Sequence, residues 1–111
     1  MRVWLIGAEQ VGTDALRQLQ KNEEIDVIIS ADSDRPQAVR EGVIPKVDFV
    51  ETVTSVNLNI VARRLRPDLI LVDPAALNVL SRVSGGAAFN QSMIAEMVAT
   101  SDFPCIVLGS P

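Results

Sequence analysis

The sequence contains no histidine and no tyrosine, and its only cysteine, Cys105, lies in an apolar run. Histidine and tyrosine are frequent proton-transfer groups in enzymes, and without a histidine nothing in this chain is suited to activate the thiol. A single cysteine also excludes an internal disulfide, which fits a reducing, cytoplasmic location. No cluster of residues suggests a metal site. We therefore expect a binding or regulatory function and no catalytic residue.

Long apolar runs and an excess of positive charge are also missing. The apolar runs are only as long as strands, so we expect neither a membrane span nor a signal peptide. Ten Lys and Arg residues stand against 14 Asp and Glu residues, a formal net charge of −4. This balance disfavours binding to nucleic acid or to anionic membranes. With 111 residues and 48% hydrophobic residues, the chain has the size and composition of one globular domain spanning 1–111.

Short apolar runs alternate along the chain with segments of helical periodicity. Strands are predicted at 3–6, 25–30, 48–53, 69–72 and 105–108, and helices at 11–20, 36–41, 56–65, 75–83 and 90–100, with a flexible joint at 84–86. Strands that alternate with helices indicate a parallel sheet covered on both faces. We therefore predict a three-layer, Rossmann-like α/β domain with a mainly parallel sheet of about five strands and the first strand near its middle.

A glycine-containing turn joins the first strand to the first helix, where dinucleotide-binding folds hold the pyrophosphate. Gly7 permits a tight turn, and Gly12 permits close packing of the helix on the sheet. Glu9 occupies the middle position of the fingerprint, where a glycine is usual. Its carboxylate at about 5 Å from a phosphate costs roughly 3 kcal/mol at an effective dielectric near 20, unless the side chain turns away. The predicted contacts in this turn are Gly7, Ala8, Glu9, Gln10, Val11 and Gly12.

An acidic residue, Asp32, follows the second predicted strand, about 20 positions after Gly12. A carboxylate there accepts hydrogen bonds from the adenosine ribose and selects against a 2′-phosphate. NAD(H) is therefore the expected cofactor, and Arg35 leaves NADP(H) as the second choice. The remaining predicted contacts are Ser33 and Asp34 beside these residues, and Asp73 and Pro74 after the fourth strand.

From Arg2 to Val39, the sequence resembles the Rossmann-type NAD(P)-binding domains. It is most similar to the small nucleotide-binding domains that regulate potassium channels and transporters. The resemblance rests on Gly7, Gly12, Asp32 and Asp34, and Glu9 departs from the pattern. It implies a stand-alone dinucleotide-binding module that acts as a sensor or regulatory subunit.

Other interpretations of the same residues remain open. The two glycines serve turn and packing alone in many α/β proteins that bind no nucleotide. The chain would then be a Rossmann-like oligomerisation or interaction domain that has lost its ligand. A third interpretation is the cofactor-binding subunit of an oxidoreductase, completed by a partner subunit. Asp73 in turn is either a ligand contact or the N-cap of a helix opened by Pro74.

The segment 67–74 also resembles the phospho-acceptor strand of response-regulator receiver domains. Receivers need an acidic pair after the first strand and a late lysine, and this sequence has Gly7, Ala8 and Glu9 at the first place. Without those groups nothing holds a divalent ion or neutralises a phosphoryl group. We do not adopt this interpretation.

The last predicted helix carries apolar or small residues around much of its circumference. They are Met93, Ile94, Ala95, Met97, Val98 and Ala99. Packing on one sheet face requires a narrower stripe, so we expect this helix to contact a second copy in a homodimer. The competing interpretation is that these residues all belong to the core.

Overall fold

A computed structural model describes residues 1–76 and 86–109, and the side chains of 1–76 and 90–109. The strands are β1 (Arg2–Ile6), β2 (Asp26–Ala31), β3 (Phe49–Val50), β4 (Leu69–Val72) and β5 (Cys105–Val107). The helices are α1 (Gln10–Leu19), α2 (Gln37–Arg40), α3 (Leu58–Leu65) and α4 (Gly86–Thr100).

The five strands form one sheet in the order β3-β2-β1-β4-β5, and every neighbouring pair is parallel. β1 lies in the centre, with Trp4 paired to Ile28 on one side and to Ile70 on the other. The predicted α/β fold, parallel sheet and central first strand are confirmed. The strands that follow β1 lie on one side of it up to β3 and on the other side from β4 onwards. The carboxyl ends of β1 and β4 therefore form the topological switch point of the sheet, where such folds usually bind ligands.

Helices cover both faces of the sheet, which gives three layers. On one face, Leu16 of α1 and Ala38 of α2 pack against Leu5. On the other, Val61 of α3 and Met97 of α4 pack in the cluster that includes Trp4 and Ile70. Alternate residues of β1 therefore serve opposite cores, which explains why its run of apolar residues has no polar interruption.

The C-terminal end of α3 follows from the residues of its last turn and those directly after it. Arg63 and Arg64 lie in its last turn, where positive charge interacts favourably with the helix dipole. The helix stops at Arg66, which adopts the left-handed conformation with φ of 51°. Pro67 follows, and β4 begins two residues later.

Several predicted boundaries are wrong. β3 has two residues rather than the predicted 48–53, and α3 begins at Leu58 rather than at position 56. α4 begins at Gly86, so the last residue of the predicted joint is helical. Ala75 and Ala76 lie in a turn, and positions 77–83 of the predicted helix and 84–85 of the joint lie outside the described residues.

The apolar surface expected on the last helix is largely interior. Ile94 and Met97 are core residues, and Met93 packs against the same cluster. Of the other residues in the predicted apolar set, Val98 is half-buried, and the exposed ones are the small residues Ala95 and Ala99. The interpretation of these residues as core therefore describes residues 90–100 of this helix, and the large apolar side chains that are exposed among those described lie elsewhere in the chain.

A buried polar contact ties the two central strands together. The indole nitrogen of Trp4 donates a hydrogen bond to the hydroxyl of Ser30 at 3.0 Å, and both residues are fully buried. Replacing Ser30 with Ala leaves this buried donor unpaired and is expected to cost about 1–3 kcal/mol of stability. Urea denaturation measures the change. Ser33→Ala, at an exposed position just beyond β2, is the control and should change stability by less than about 0.5 kcal/mol.

Candidate functional site

Asp73 directly follows β4 and is fully buried at the carboxyl edge of the sheet. Its Oδ2 accepts hydrogen bonds from the backbone N–H of Gly12 at 2.7 Å and of Glu9 at 3.0 Å. Its Oδ1 accepts one from the N–H of Ala75 at 2.8 Å. Three backbone donors therefore hold both oxygens of one buried carboxylate.

The carboxylate of Asp73 lies at the N-terminus of α1, where helices bind anions. The first N–H groups of a helix have no acceptor within the helix, and the positive end of its dipole attracts negative charge. In a dinucleotide-binding fold, this position serves the pyrophosphate. Here the side chain of Asp73, which follows β4, satisfies two donors of the turn.

The contact between Asp73 and α1 is the feature that sequence reasoning misses. Asp73 and Gly12 lie 61 positions apart, and no local motif connects them. The signal that could have indicated it is the predicted central position of β1, because a neighbouring parallel strand ends beside the same turn. Asp73 was predicted to face a ligand or to cap the helix opened by Pro74; its side chain caps α1 and also bonds the N–H of Ala75.

The backbone geometry of the turn accounts for both glycines. Gly7 has φ of +88°, and a Cβ atom there would lie 2.9 Å from the Cβ of Ala76. A Cβ atom at Gly12 would lie 2.6 Å from the carbonyl oxygen of Gly7 and 2.8 Å from Oδ2 of Asp73. Such separations are too short for a side chain. The fold therefore needs these glycines for its own packing, with or without a ligand.

The side chain of Glu9 turns towards α2. Its Oε2 lies 3.4 Å from the guanidinium of Arg40, in a partly exposed ion pair. On the other side of the turn, Ala8 is fully buried and its carbonyl accepts hydrogen bonds from the N–H of Ala38 and the hydroxyl of Thr13. These contacts of Glu9 and Ala8 hold the turn against α2 and the first turns of α1.

Two backbone donors at the start of α1 are still available. Helical geometry leaves the N–H groups of Gln10 and Val11 without acceptors in the helix. Within residues 1–76 and 86–109, no other group accepts a hydrogen bond from them. These are the two donors of α1 to which a ligand could bind.

The acidic segment after β2 is open to solvent. Asp32, Ser33, Asp34 and Arg35 are all exposed, and their side chains make no hydrogen bond or ion pair within the described part of the chain. Because β2 lies beside β1, this segment is at the same edge of the sheet as the glycine turn. Pro74, in contrast, is half-buried, and its carbonyl accepts a hydrogen bond from Nδ2 of Asn90 at 3.2 Å.

A surface groove of about 370 Å³ runs along α1 beside the residues that follow β5. It is lined by Gln10, Val11, Asp14, Ala15, Gln18, Leu108 and Gly109. The lining contains one carboxylate and no cation, so it offers no charged partner to a phosphate. This groove is not the predicted dinucleotide site, although Gln10 and Val11 belong to both.

The described residues offer little chemistry for catalysis. Burial raises the pKa of the Cys105 thiol to about 11, so the thiolate nucleophile is scarce at neutral pH. No group of histidine, cysteine, aspartate and glutamate side chains suited to hold a metal ion occurs in residues 1–76 and 86–109. Over the same residues, no helix has the length and apolar character needed to cross a membrane.

Comparison of the chain with models of protein families, with curated proteins and with solved structures gave no match. The geometry of the turn between β1 and α1 and of its surroundings is therefore the basis for a functional conclusion.

Proposed function

We propose that this chain is a Rossmann-like interaction module in which a carboxylate of the protein occupies the place of a ligand's phosphate. The observation that carries the proposal is the environment of Asp73, which is fully buried and accepts three backbone hydrogen bonds, two of them at the start of α1. We call this a closed module, because the side chain of Asp73 occupies the ligand position. Such a module acts through contacts with other protein chains.

Electrostatics supports the proposal. A phosphate at the start of α1, about 5 Å from the carboxylate of Asp73, is repelled by roughly 3 kcal/mol at an effective dielectric near 20. Hydrogen bonds from the N–H groups of Gln10 and Val11 to a charged phosphate return about 1.5–3 kcal/mol each. The carboxylate of Glu9 reduces this gain further, although Arg40 partly compensates its charge. The phosphate therefore contributes little net binding free energy.

A second candidate function is NAD(H) binding by a sensor or regulatory module. The observation that favours it is the exposed, unpartnered Asp32 directly after β2, together with the two available donors of α1. In this alternative, Asp32 accepts hydrogen bonds from the adenosine ribose, and Arg35 is placed to contact the 2′-phosphate of NADP(H). Most of the affinity would then come from the adenosine half of the ligand.

Thermal denaturation with NADH, NADPH, ATP, ADP and S-adenosylmethionine separates the two functions. For an interaction module, we expect millimolar concentrations of each to leave Tm unchanged. A ligand at 100 times its Kd would add about 2.7 kcal/mol and raise Tm by several degrees. The matched variant is Asp32→Ala, an exposed change that should not alter the fold. A rise with NADH in the wild type that disappears in Asp32→Ala would contradict the interaction module and support NAD(H) binding.

A further inference from the structure

The two edges of the sheet differ in their protection against pairing. At one edge, β3 has only two residues, and the carboxylates of Asp48 and Glu51 flank it. At the other, β5 lies in a segment without any charged residue from Phe103 to Gly109. Short length and charge are the devices by which proteins prevent edge strands from pairing. β3 has both, whereas β5 is also short, with three residues after Pro104, but has no charge.

The side chains of Ile106 and Val107 in β5 are both exposed, although they lie on opposite faces of the sheet. Ile106 is paired in register with Leu71 and is 52% exposed; Val107 is paired with Val72 and is 40% exposed. Strands of a parallel sheet are normally buried on both faces. The exposure of Ile106 and Val107 indicates that β5 lacks the helical packing that usually buries both faces of such a strand.

The hydrogen bonds to β4 show which backbone groups of β5 point outward. The carbonyl of Pro104 accepts from the N–H of Ile70, and the N–H of Leu108 donates to the carbonyl of Val72. The backbone N–H and C=O groups of successive residues point alternately to the two sides of a strand. Those of Ile106 therefore also point towards β4, and those of Cys105 and Val107 point away from it. Two donors and two acceptors are therefore presented along the free edge.

We propose that two copies of the chain pair through β5 in antiparallel fashion, forming one continuous ten-stranded sheet around a two-fold axis at Ile106. In this register, Cys105 of each copy lies opposite Val107 of the other, and the two residues exchange both backbone hydrogen bonds. All outward groups of Cys105 and Val107 are then satisfied. The arrangement is self-complementary, as a two-fold interface requires.

The side chains fit the same register. The two copies of Ile106 form the central pair, without hydrogen bonds between them, where opposite side chains approach most closely. On the other face, Val107 packs against Cys105 of the second copy. Every side chain brought together is apolar or a thiol, and no charge is buried. The inference rests on the proposed function, because it names a second copy as the partner of the interaction module.

Directed cross-linking tests the register. In a Cys105→Ser background, Ile106→Cys places two thiols at the central pair, with Cα atoms about 4.5 Å apart, within the range of a disulfide. We expect mild oxidation to give a covalent dimer. The matched control is Val50→Cys in the same background, at an edge position that is 53% exposed, which should give no covalent dimer under the same conditions. Oxidised wild type should also stay uncrosslinked, because its thiols are not opposite each other.

Light scattering coupled to gel filtration tests the dimer without any thiol. The wild type and Val50→Lys should have twice the chain mass of 12.0 kDa, and Ile106→Lys should have the mass of one chain. Circular dichroism checks that both lysine variants fold. A wild type of 12.0 kDa overturns the pairing. A dimer that Ile106→Lys leaves intact also overturns it while still supporting an interaction module. The ligand titration is independent, since a Tm rise with NADH would reject the closed module and leave the cross-linking result unaffected.

Discussion

Asp73→Ala is expected to destabilise the fold by roughly 3–5 kcal/mol, the cost of removing one partner from a buried, charge-assisted network. The substitution leaves the N–H groups of Glu9, Gly12 and Ala75 without their acceptor. It also removes the negative charge that complements the dipole of α1. Because single domains are stable by only about 5–15 kcal/mol, a change of this size should be large in urea denaturation.

Two further variants separate the contact from the charge. Asp73→Asn keeps one carbonyl oxygen as an acceptor, so its stability should lie between that of the wild type and that of Asp73→Ala. Asp34→Ala removes an exposed carboxylate on the same edge of the sheet and should change stability by less than about 0.5 kcal/mol. If Asp73→Ala unfolds at the same urea concentration as the wild type, the carboxylate does not hold the turn to β4.

Gly7→Ala should be the second most damaging change, with a loss of about 2–5 kcal/mol. Two costs add: a side chain in the left-handed region costs about 1–2 kcal/mol, and forcing atoms into a packed space costs about 1–3 kcal/mol. The new Cβ atom would lie 2.9 Å from the Cβ and 3.1 Å from the Cα of Ala76, and 3.0 Å from the Cβ of Asp73. The turns after β1 and β4 would have to move apart.

Gly42→Ala provides the matched control for Gly7→Ala. Gly42 also has a positive φ, of +74°, but a Cβ atom there meets nothing within 4 Å. It therefore bears only the conformational cost, about 1–2 kcal/mol. The difference between the two variants in urea denaturation isolates the steric term. Equal losses would mean that the two turns separate freely and that their close packing contributes no stability.

The order of elements could be predicted from the sequence because each strand is a short apolar run bounded by polar, glycine or proline residues. β1 and β4 are the clearest cases, since residues 3–6 and 69–72 are continuous apolar runs that lie inside the sheet. β3 was predicted too long because the apolar residues around Phe49 continue past the two positions at which the backbone pairs with β2. Val53, for example, is buried in the core without belonging to a strand.

The candidate site was less predictable, for physical reasons. The glycines, the Asp32 segment and the departure at Glu9 are all local features of the sequence. The position of the Asp73 side chain instead depends on which strands are neighbours and on the distance between two turns. Likewise, the apolar residues of α4 show helical spacing whether a sheet or a second copy covers them. In the fold, Met97 is buried against the sheet, and the exposed apolar side chains include those of β5.

The central position of β1 also has a consequence during synthesis on the ribosome. This strand is made before the other four strands of the sheet, and Trp4 and Leu5 are among the most completely buried side chains of the fold. One of its two neighbours, β4, begins only at Leu69, so one edge of β1 stays unpaired until β4 has been made. The nascent chain therefore exposes one edge of an apolar strand until β4 emerges, which makes β1 a natural site for chaperone binding.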